Sequence, residues 1–214
     1  MAKKRERKIQ DPDKLYSFLR PVVDNCLRRS FKEIKYVGLE KIPQDGAVII
    51  APNHTNALMD ALVVLNYDRK PKVFIARADI FKTPIFAKVL KFLKIMPMMR
   101  IRDGVSEVKK NDDTIKKSVD VLLDKVPFCI LPEGRHRAQH SLLPLGKGIF
   151  RVALQTQELL DSKTPLYIVP FGIEYGNFYR FRSTVLVQVG DPIDVRDCLN
   201  GRGPDAYPFV MNEM

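Results

Sequence analysis

Ala47-Val-Ile-Ile-Ala51, then Pro52-Asn-His-Thr-Asn56, then Ala57-Leu-Met-Asp60 is the stretch from which the rest of the chain can be read. Five apolar residues in a row suit a short strand buried on both faces. Residues 57–65 then read as a helix. A buried strand that hands over to a helix through a short polar loop points to an α/β sheet. Ligands of open α/β sheets bind at that edge.

Working outward, the same alternation continues. Residues 73–76, 98–101, 128–131, 166–169 and 185–189 read as strands. Residues 84–93, 114–123 and 149–160 read as helices between them, the second with Ile115, Val119, Leu122 and Leu123 on one face. Upstream, residues 36–42 read as a strand that enters a turn at Pro43-Gln-Asp-Gly46. Before it, residues 12–35 read as a helix that Asp11 or Asp13 can cap, with Leu15, Phe18, Leu19, Val22, Val23, Cys26 and Leu27 at helical spacing. Pro21 should kink or split that helix. The expectation is a single α/β domain over residues 36–214: a mixed, mostly parallel sheet flanked by helices. A basic, amphipathic N-terminal helical segment over residues 1–35 precedes it. Residues 205–214 look like the opening of a further helix, which leaves truncation or a fraying end as the two readings.

Composition narrows the class. With 45% hydrophobic and 29% charged residues, the 214-residue chain can bury a core and is not disordered. It has no run of ~18 apolar residues that would span a bilayer, and no apolar stretch behind its basic N-terminus that would make a secretory signal. Cys26, Cys129 and Cys198 are far apart, which argues against a disulfide framework and a zinc site, and for a reducing compartment. The net charge of +11 is concentrated: residues 69–110 hold twelve Lys/Arg against Asp79, Asp103 and Glu107. Such a block attracts phosphate on lipid, nucleic acid or a small substrate.

Three segments carry chemistry. In the loop after residues 47–51, His54 has Asp60 nearby, and a carboxylate can fix a histidine's tautomer for general-base work. Asn53 and Asn56 suit bonds to loop backbone or a helix cap. Leu131-Pro-Glu-Gly-Arg-His-Arg137 also follows a buried strand, and Gly134 permits a tight turn. In Pro97-Met-Met-Arg-Ile-Arg-Asp-Gly104, two-residue spacing puts Arg100 and Arg102 on one strand face, where they suit a phosphate monoester. Gly146-Lys147-Gly148 is not a P-loop, and there is no G-x-S-x-G elbow.

In this order the segments resemble the PlsC-type glycerolipid acyltransferases, whose blocks are N-H-x-x-x-x-D, an arginine-ended strand, F-P-E-G, and a hydrophobic strand ending in V-P. The counterparts are Asn53-His54…Asp60, residues 98–102, Leu131-Pro-Glu-Gly134 and Ile168-Val-Pro170, so the resemblance spans residues 35–195. It implies acyl transfer from acyl-CoA or acyl carrier protein to a hydroxyl of a glycerol phosphate or lysophospholipid, without metal or acyl-enzyme. By the same resemblance His54 is the base and Asp60 its partner. Asn53, Arg100, Arg102, Glu133, Gly134, Arg135 and Arg137 form the substrate-binding set. Two departures stand out. Five residues, not four, separate His54 from Asp60, so either the loop is one residue longer or Asp60 is displaced. His136 occupies the family's arginine slot, between Arg135 and Arg137.

The expected enzyme needs no cofactor beyond its acyl-donor co-substrate. It works at an anionic membrane surface, peripheral or monotopic on the cytoplasmic face, and does not bind nucleic acid. Residues 15–31 and 84–99 mix bulky apolar with basic side chains and suit that interface. Partial burial of both is expected, with Phe81, Phe86, Leu90 and Phe92 as the candidates for residual exposure. The main alternative is a non-catalytic basic module for anionic lipid or nucleic acid, which leaves His54…Asp60 unexplained. A metal hydrolase using His54, His136 and His140 lacks a ligand motif such as H-E-x-x-H.

Overall fold

The computed structural model describes residues 7–99, 111–160 and 164–199. Helix α1 (Lys14–Ser30) comes first, then β1 (Glu33–Val37), a 3-10 turn (Leu39–Lys41), β2 (Ala47–Pro52), α2 (Ala57–Asn66) and β3 (Val73–Arg77). A second 3-10 turn (Ala78–Phe81) leads to α3 (Pro84–Phe92) and β4 (Ile95–Met98). Then follow α4 (Asn111–Leu123), β5 (Phe128–Cys129), α5 (Gly148–Leu159), β6 (Leu166–Tyr175), β7 (Thr184–Val189), β8 (Ile193–Asp194) and α6 (Val195–Leu199).

The strands form one sheet in the order β1-β7-β6-β2-β5-β3-β4, with β8 beside β6. All neighbours are parallel except β6–β7 and β6–β8. All six residues of β2 are buried, because helices cover both faces of the sheet there. Ala47, Ile49 and Ala51 pack with Ile115 and Leu122 of α4 and Phe150 and Ala153 of α5. Val48 and Ile50 face the other way, onto Val63 and Val64 of α2 and Leu27 of α1. Each of the Val, Ile, Leu and Phe side chains among them contributes roughly 1.5–3 kcal/mol of burial. The expected mixed, mostly parallel α/β sheet is therefore the one observed.

Several boundaries differ from expectation. The first helix ends at Ser30 rather than 35, because Phe31 is extended and buried, and residues 33–37 pair with β7. Residues 33–35, grouped with the N-terminal segment, thus lie in the sheet. Pro21 does not split α1. The turn around it is anchored by Arg20, which donates to Asp24 and to the Leu65 and Asp68 carbonyls at the end of α2. β4 begins at Ile95, three residues early, because Lys94 takes a left-handed φ of 60° and turns the chain straight out of α3. β6 runs past Pro170 to Tyr175. Proline is tolerated there because β6 changes neighbours at that point: residues 167–168 face β8 and 171–175 face β7. Arg100, Arg102 and residues 205–214 lie outside the described residues.

Two of the basic residues in the 69–110 block are not on the surface. Lys72 is fully buried; it donates to Asp68 and lies 3.9 Å from the Tyr67 ring centroid. Burial lowers its pKa to about 8, against the pull of Asp68. Lys94 donates to the Ile9 and Asp11 carbonyls.

Conversely, the first half of α1 turns its apolar residues outward. Leu15, Phe18, Leu19 and Val22 are exposed, Phe18 by 75%, while Tyr16 and Arg20 are buried. On α3, Ile85, Phe86, Val89 and Leu93 are exposed, and Phe81, Leu90 and Phe92 are half-buried. The four candidates thus keep the residual exposure expected of them, Phe86 the most. No helix among the described residues is long and apolar enough to cross a membrane.

Candidate active site

β2 stops at Pro52 while β6 continues, so the loop after β2 runs alongside exposed strand backbone. Asn53 uses this. Its N–H donates to the Phe171 carbonyl at 3.2 Å, its Nδ2 donates to the Ile173 carbonyl at 2.9 Å, and its Oδ1 accepts from the Ile173 N–H at 2.7 Å. The side-chain amide takes the place of a peptide and prolongs the ladder by one rung. Asn53 thereby fixes where His54 leaves the sheet.

The five-residue spacing is absorbed in the loop. Ala57, the first residue of α2, has a φ of 46°, which costs a side-chain-bearing residue roughly 1–2 kcal/mol. Across this turn Asp60 still comes back to His54. His54 Nδ1 lies 2.9 Å from Asp60 Oδ2.

Asp60 is fully buried, so its charge requires donors. Oδ2 also accepts from the Asn56 N–H at 2.8 Å, and Oδ1 accepts from the Tyr175 hydroxyl at 2.8 Å. Burial, and then the Asp60 carboxylate, push the Tyr175 pKa far above the ordinary tyrosine value. The hydroxyl therefore stays a donor. An ionised carboxylate only accepts, so His54 donates from Nδ1 and keeps its lone pair on Nε2. A largely buried imidazole in that tautomer can take a proton from a hydroxyl placed at Nε2.

The second loop clamps this arrangement from the other side. Glu133 is buried; Oε1 accepts from the His54 N–H at 2.9 Å and Oε2 from the Leu143 N–H at 3.2 Å. The Arg137 N–H donates to the His54 carbonyl at 3.2 Å. Gly134 has a φ of 62°, and a Cβ there would meet nothing within 4 Å. Backbone conformation, not crowding, is what calls for glycine at that turn. Arg135, His136 and Arg137 are exposed. The His136 ring stands edge-on to His54, centroids 5.4 Å apart.

Asn53, His54, Asp60, Glu133 and the Arg137 backbone thus come together, with Gly134 at the turn between Glu133 and Arg137; Arg135 is exposed on the same loop. Both Asn53 and Glu133 have their side-chain oxygens on backbone N–H groups, which makes them supports of His54. Tyr175 is the residue the sequence did not point to. It is 115 positions from Asp60 and carries no local motif. A cleft of about 270 Å³ opens on the β6 side of the loop, lined by Asn53, Thr55, His140, Gly172, Glu174 and Phe178. Among the described residues, no three His, Cys, Asp or Glu side chains are grouped to hold a metal ion.

The chain is similar to several known proteins. Glycerol-3-phosphate O-acyltransferase 2 of Saccharomyces cerevisiae is 33% identical over 85 residues, 40% of this chain and 11% of that protein. Glycerol-3-phosphate O-acyltransferase 1 of the same organism is 36% identical over 66 residues, 31% of this chain and 9% of that protein. The matched stretches are therefore a small part of those relatives. The crystal structure of the 1-acyl-sn-glycerophosphate acyltransferase PlsC from Thermotoga maritima superimposes with a TM-score of 0.61 at 18% identity, over 95% of this chain and 79% of that one. That likeness is one of fold. The family described as Acyltransferase matches residues 33–174, from the first residue of β1 to the residue before Tyr175. That span takes in most of the sheet and both loops that meet at His54, and the chain belongs to the acyltransferase family.

Proposed function

We propose that the protein moves a fatty acyl group from acyl-CoA or acyl carrier protein to a hydroxyl of a glycerol phosphate or lysophospholipid, with His54 as general base. The observation that carries this is the buried Asp60 carboxylate on His54 Nδ1, which leaves Nε2 unprotonated at the ligand-binding edge of the sheet. The acceptor hydroxyl gives its proton to Nε2 as its oxygen attacks the thioester carbonyl. The tetrahedral intermediate collapses, the C–S bond breaks, and the thiolate takes the proton back as free thiol. Asp60 stabilises the imidazolium in between. Glycerol 3-phosphate as acceptor is favoured by the names of the yeast relatives. The decisive assay is labelled acyl-CoA with a panel of acceptors, read as thiol release and acylated lipid. A purely lipid- or nucleic-acid-binding protein would release no thiol.

Arg102, with Arg100, is proposed to hold the acceptor phosphate, and Arg135 and Arg137 add positive charge beside His54. Arg102→Ala is expected to raise the acceptor KM about ten-fold or more while the acyl-donor KM stays near wild type, since one charged hydrogen bond to phosphate contributes roughly 1.5–3 kcal/mol. A selective rise in donor KM would move the arginines to the CoA phosphates.

Membrane association, peripheral and on the cytoplasmic face, is part of the same proposal. The outward stripes of α1 and α3 favour it. Binding to vesicles is expected to need anionic lipid, to weaken with salt and to fall on neutralising Lys88 and Lys91. Lys94 is left out because it is buried. Phe18→Asp with Ile85→Asp should abolish binding even at low salt, which co-sedimentation reads directly.

A further inference from the structure

Strand β6 runs past Phe171, its last pairing with β2, to Tyr175, and so stands roughly 13 Å beyond the end of β2. The hairpin that joins it to β7, residues 176–183, therefore overhangs the edge of the sheet where His54 lies. Its Phe178 lines the cleft beside the His54 loop. The tip is a built turn. Asn177 Oδ1 accepts from the Tyr179 N–H at 3.0 Å and from the Arg180 N–H at 2.9 Å, and the Asn177 N–H donates to Ser183 Oγ at 2.8 Å. Arg182 closes the turn with a left-handed φ of 56°, its N–H on the Ser30 carbonyl at the end of α1. Phe178 is drawn in against Tyr175 and His140. Tyr179 and Phe181 are turned out instead, 87% and 73% exposed, with the exposed Arg180 between them and Arg182 beside them.

An ordered turn that keeps two aromatic side chains in water forgoes their burial. The surroundings of the tip say what covers them. Arg28, Arg29 and Lys32 are exposed where the end of α1 meets the hairpin, and the Lys32 N–H donates to the Ser183 carbonyl. With Arg180 and Arg182 they outweigh Glu33 and Glu174, the exposed acids of the adjoining strand ends. The complementary surface is negatively charged at its skin and apolar beneath. Tyrosine, phenylalanine and arginine side by side are the composition that settles at such a bilayer interface. A convex tip also suits a fluid surface, which closes around it, better than a rigid protein face. α1 points the same way. At about 100° per residue, Phe18, Val22 and Arg29 fall within about 40° of one another around the helix. The exposed apolar residues on the first half of α1 are thus in line with Arg29, next to the tip.

We infer that the 176–183 hairpin is a further membrane contact, which dips Tyr179 and Phe181 into an anionic bilayer and sets the edge that carries His54 against its surface. α1 and α3 hold the protein to the bilayer; the hairpin fixes how the active-site edge is tilted toward it. The inference rests on the membrane association proposed above.

The chain has no tryptophan, so one introduced residue reports on its own surroundings. In the full-length Phe181→Trp protein, vesicles of phosphatidylcholine with phosphatidylglycerol should shift the emission to shorter wavelength, and bromine-labelled acyl chains should quench it. Leu159→Trp is the control: it is 66% exposed at the end of α5, on the other face of the sheet, and should not shift. Tyr179→Ser with Phe181→Ser should weaken vesicle binding about ten-fold or more. Its Tm should stay near wild type, because neither ring is buried. An unshifted Phe181→Trp emission in protein that co-sediments with the vesicles would overturn the hairpin contact and leave membrane association standing. No vesicle binding by the unaltered chain would overturn both. A shift with an acidic acyl carrier protein and none with vesicles would overturn the lipid surface and assign the tip to a protein partner.

Discussion

Replacing His54 with alanine is expected to lower kcat for acyl transfer by about 10²–10⁴-fold while the protein stays folded. The size follows from the role proposed for Nε2: without it, the acceptor hydroxyl must attack with its proton in place. The fold should survive because His54 is held through its backbone. Its N–H is bound by Glu133 and its carbonyl by the Arg137 N–H, and neither bond involves the ring. The side chain keeps 17% of its surface in solvent, so the space its ring leaves stays continuous with water. Circular dichroism and a melting curve check the fold, and thiol release checks the rate. Turnover near wild type in a folded His54→Ala protein would remove His54 from the mechanism.

Asp60→Asn is expected to come close to that loss, about 10²–10⁴-fold in kcat, because the carboxylate sets the tautomer. Asp60 meets three donors: His54 Nδ1, the Asn56 N–H and the Tyr175 hydroxyl. An asparagine has one acceptor oxygen for all three and brings an N–H of its own. The imidazole is then driven to the tautomer with the proton on Nε2, which cannot act as base. Tyr175→Phe separates support from chemistry. It leaves the His54–Asp60 contact but removes one donor from the carboxylate, so about ten-fold in kcat is expected. The split between rate and stability carries the sharper test: kcat should fall in a protein whose KM values stay near wild type. A purely structural role for Tyr175 would lower the melting temperature and leave kcat of the folded protein in place.

The part of this protein that was legible in the sequence is the part decided by near neighbours. Ala47-Val-Ile-Ile-Ala51 reads as a buried strand because uninterrupted apolarity has few other uses at that length. His54 and Asp60 read as a pair because a strand-to-helix turn brings residues six apart together, and Gly134 reads as a turn because its backbone needs left-handed freedom. Tertiary structure alone decided the rest. Tyr175 reaches Asp60 only because β6 outruns β2, and β6 outruns β2 only because its neighbour changes from β8 to β7 at Pro170. Lys72 and Lys94 look like surface charge in a basic run, yet both are buried on acceptors that the fold supplies. The stripe of α1 is visible in the sequence as a period, but a period says only that one face is apolar. Which way that face turns was settled by Arg20, whose inward bonds to the end of α2 leave Phe18 and Val22 facing out. Spacing along the chain carries contacts between neighbours; the energy of contacts across tens of residues exists only once the sheet is assembled.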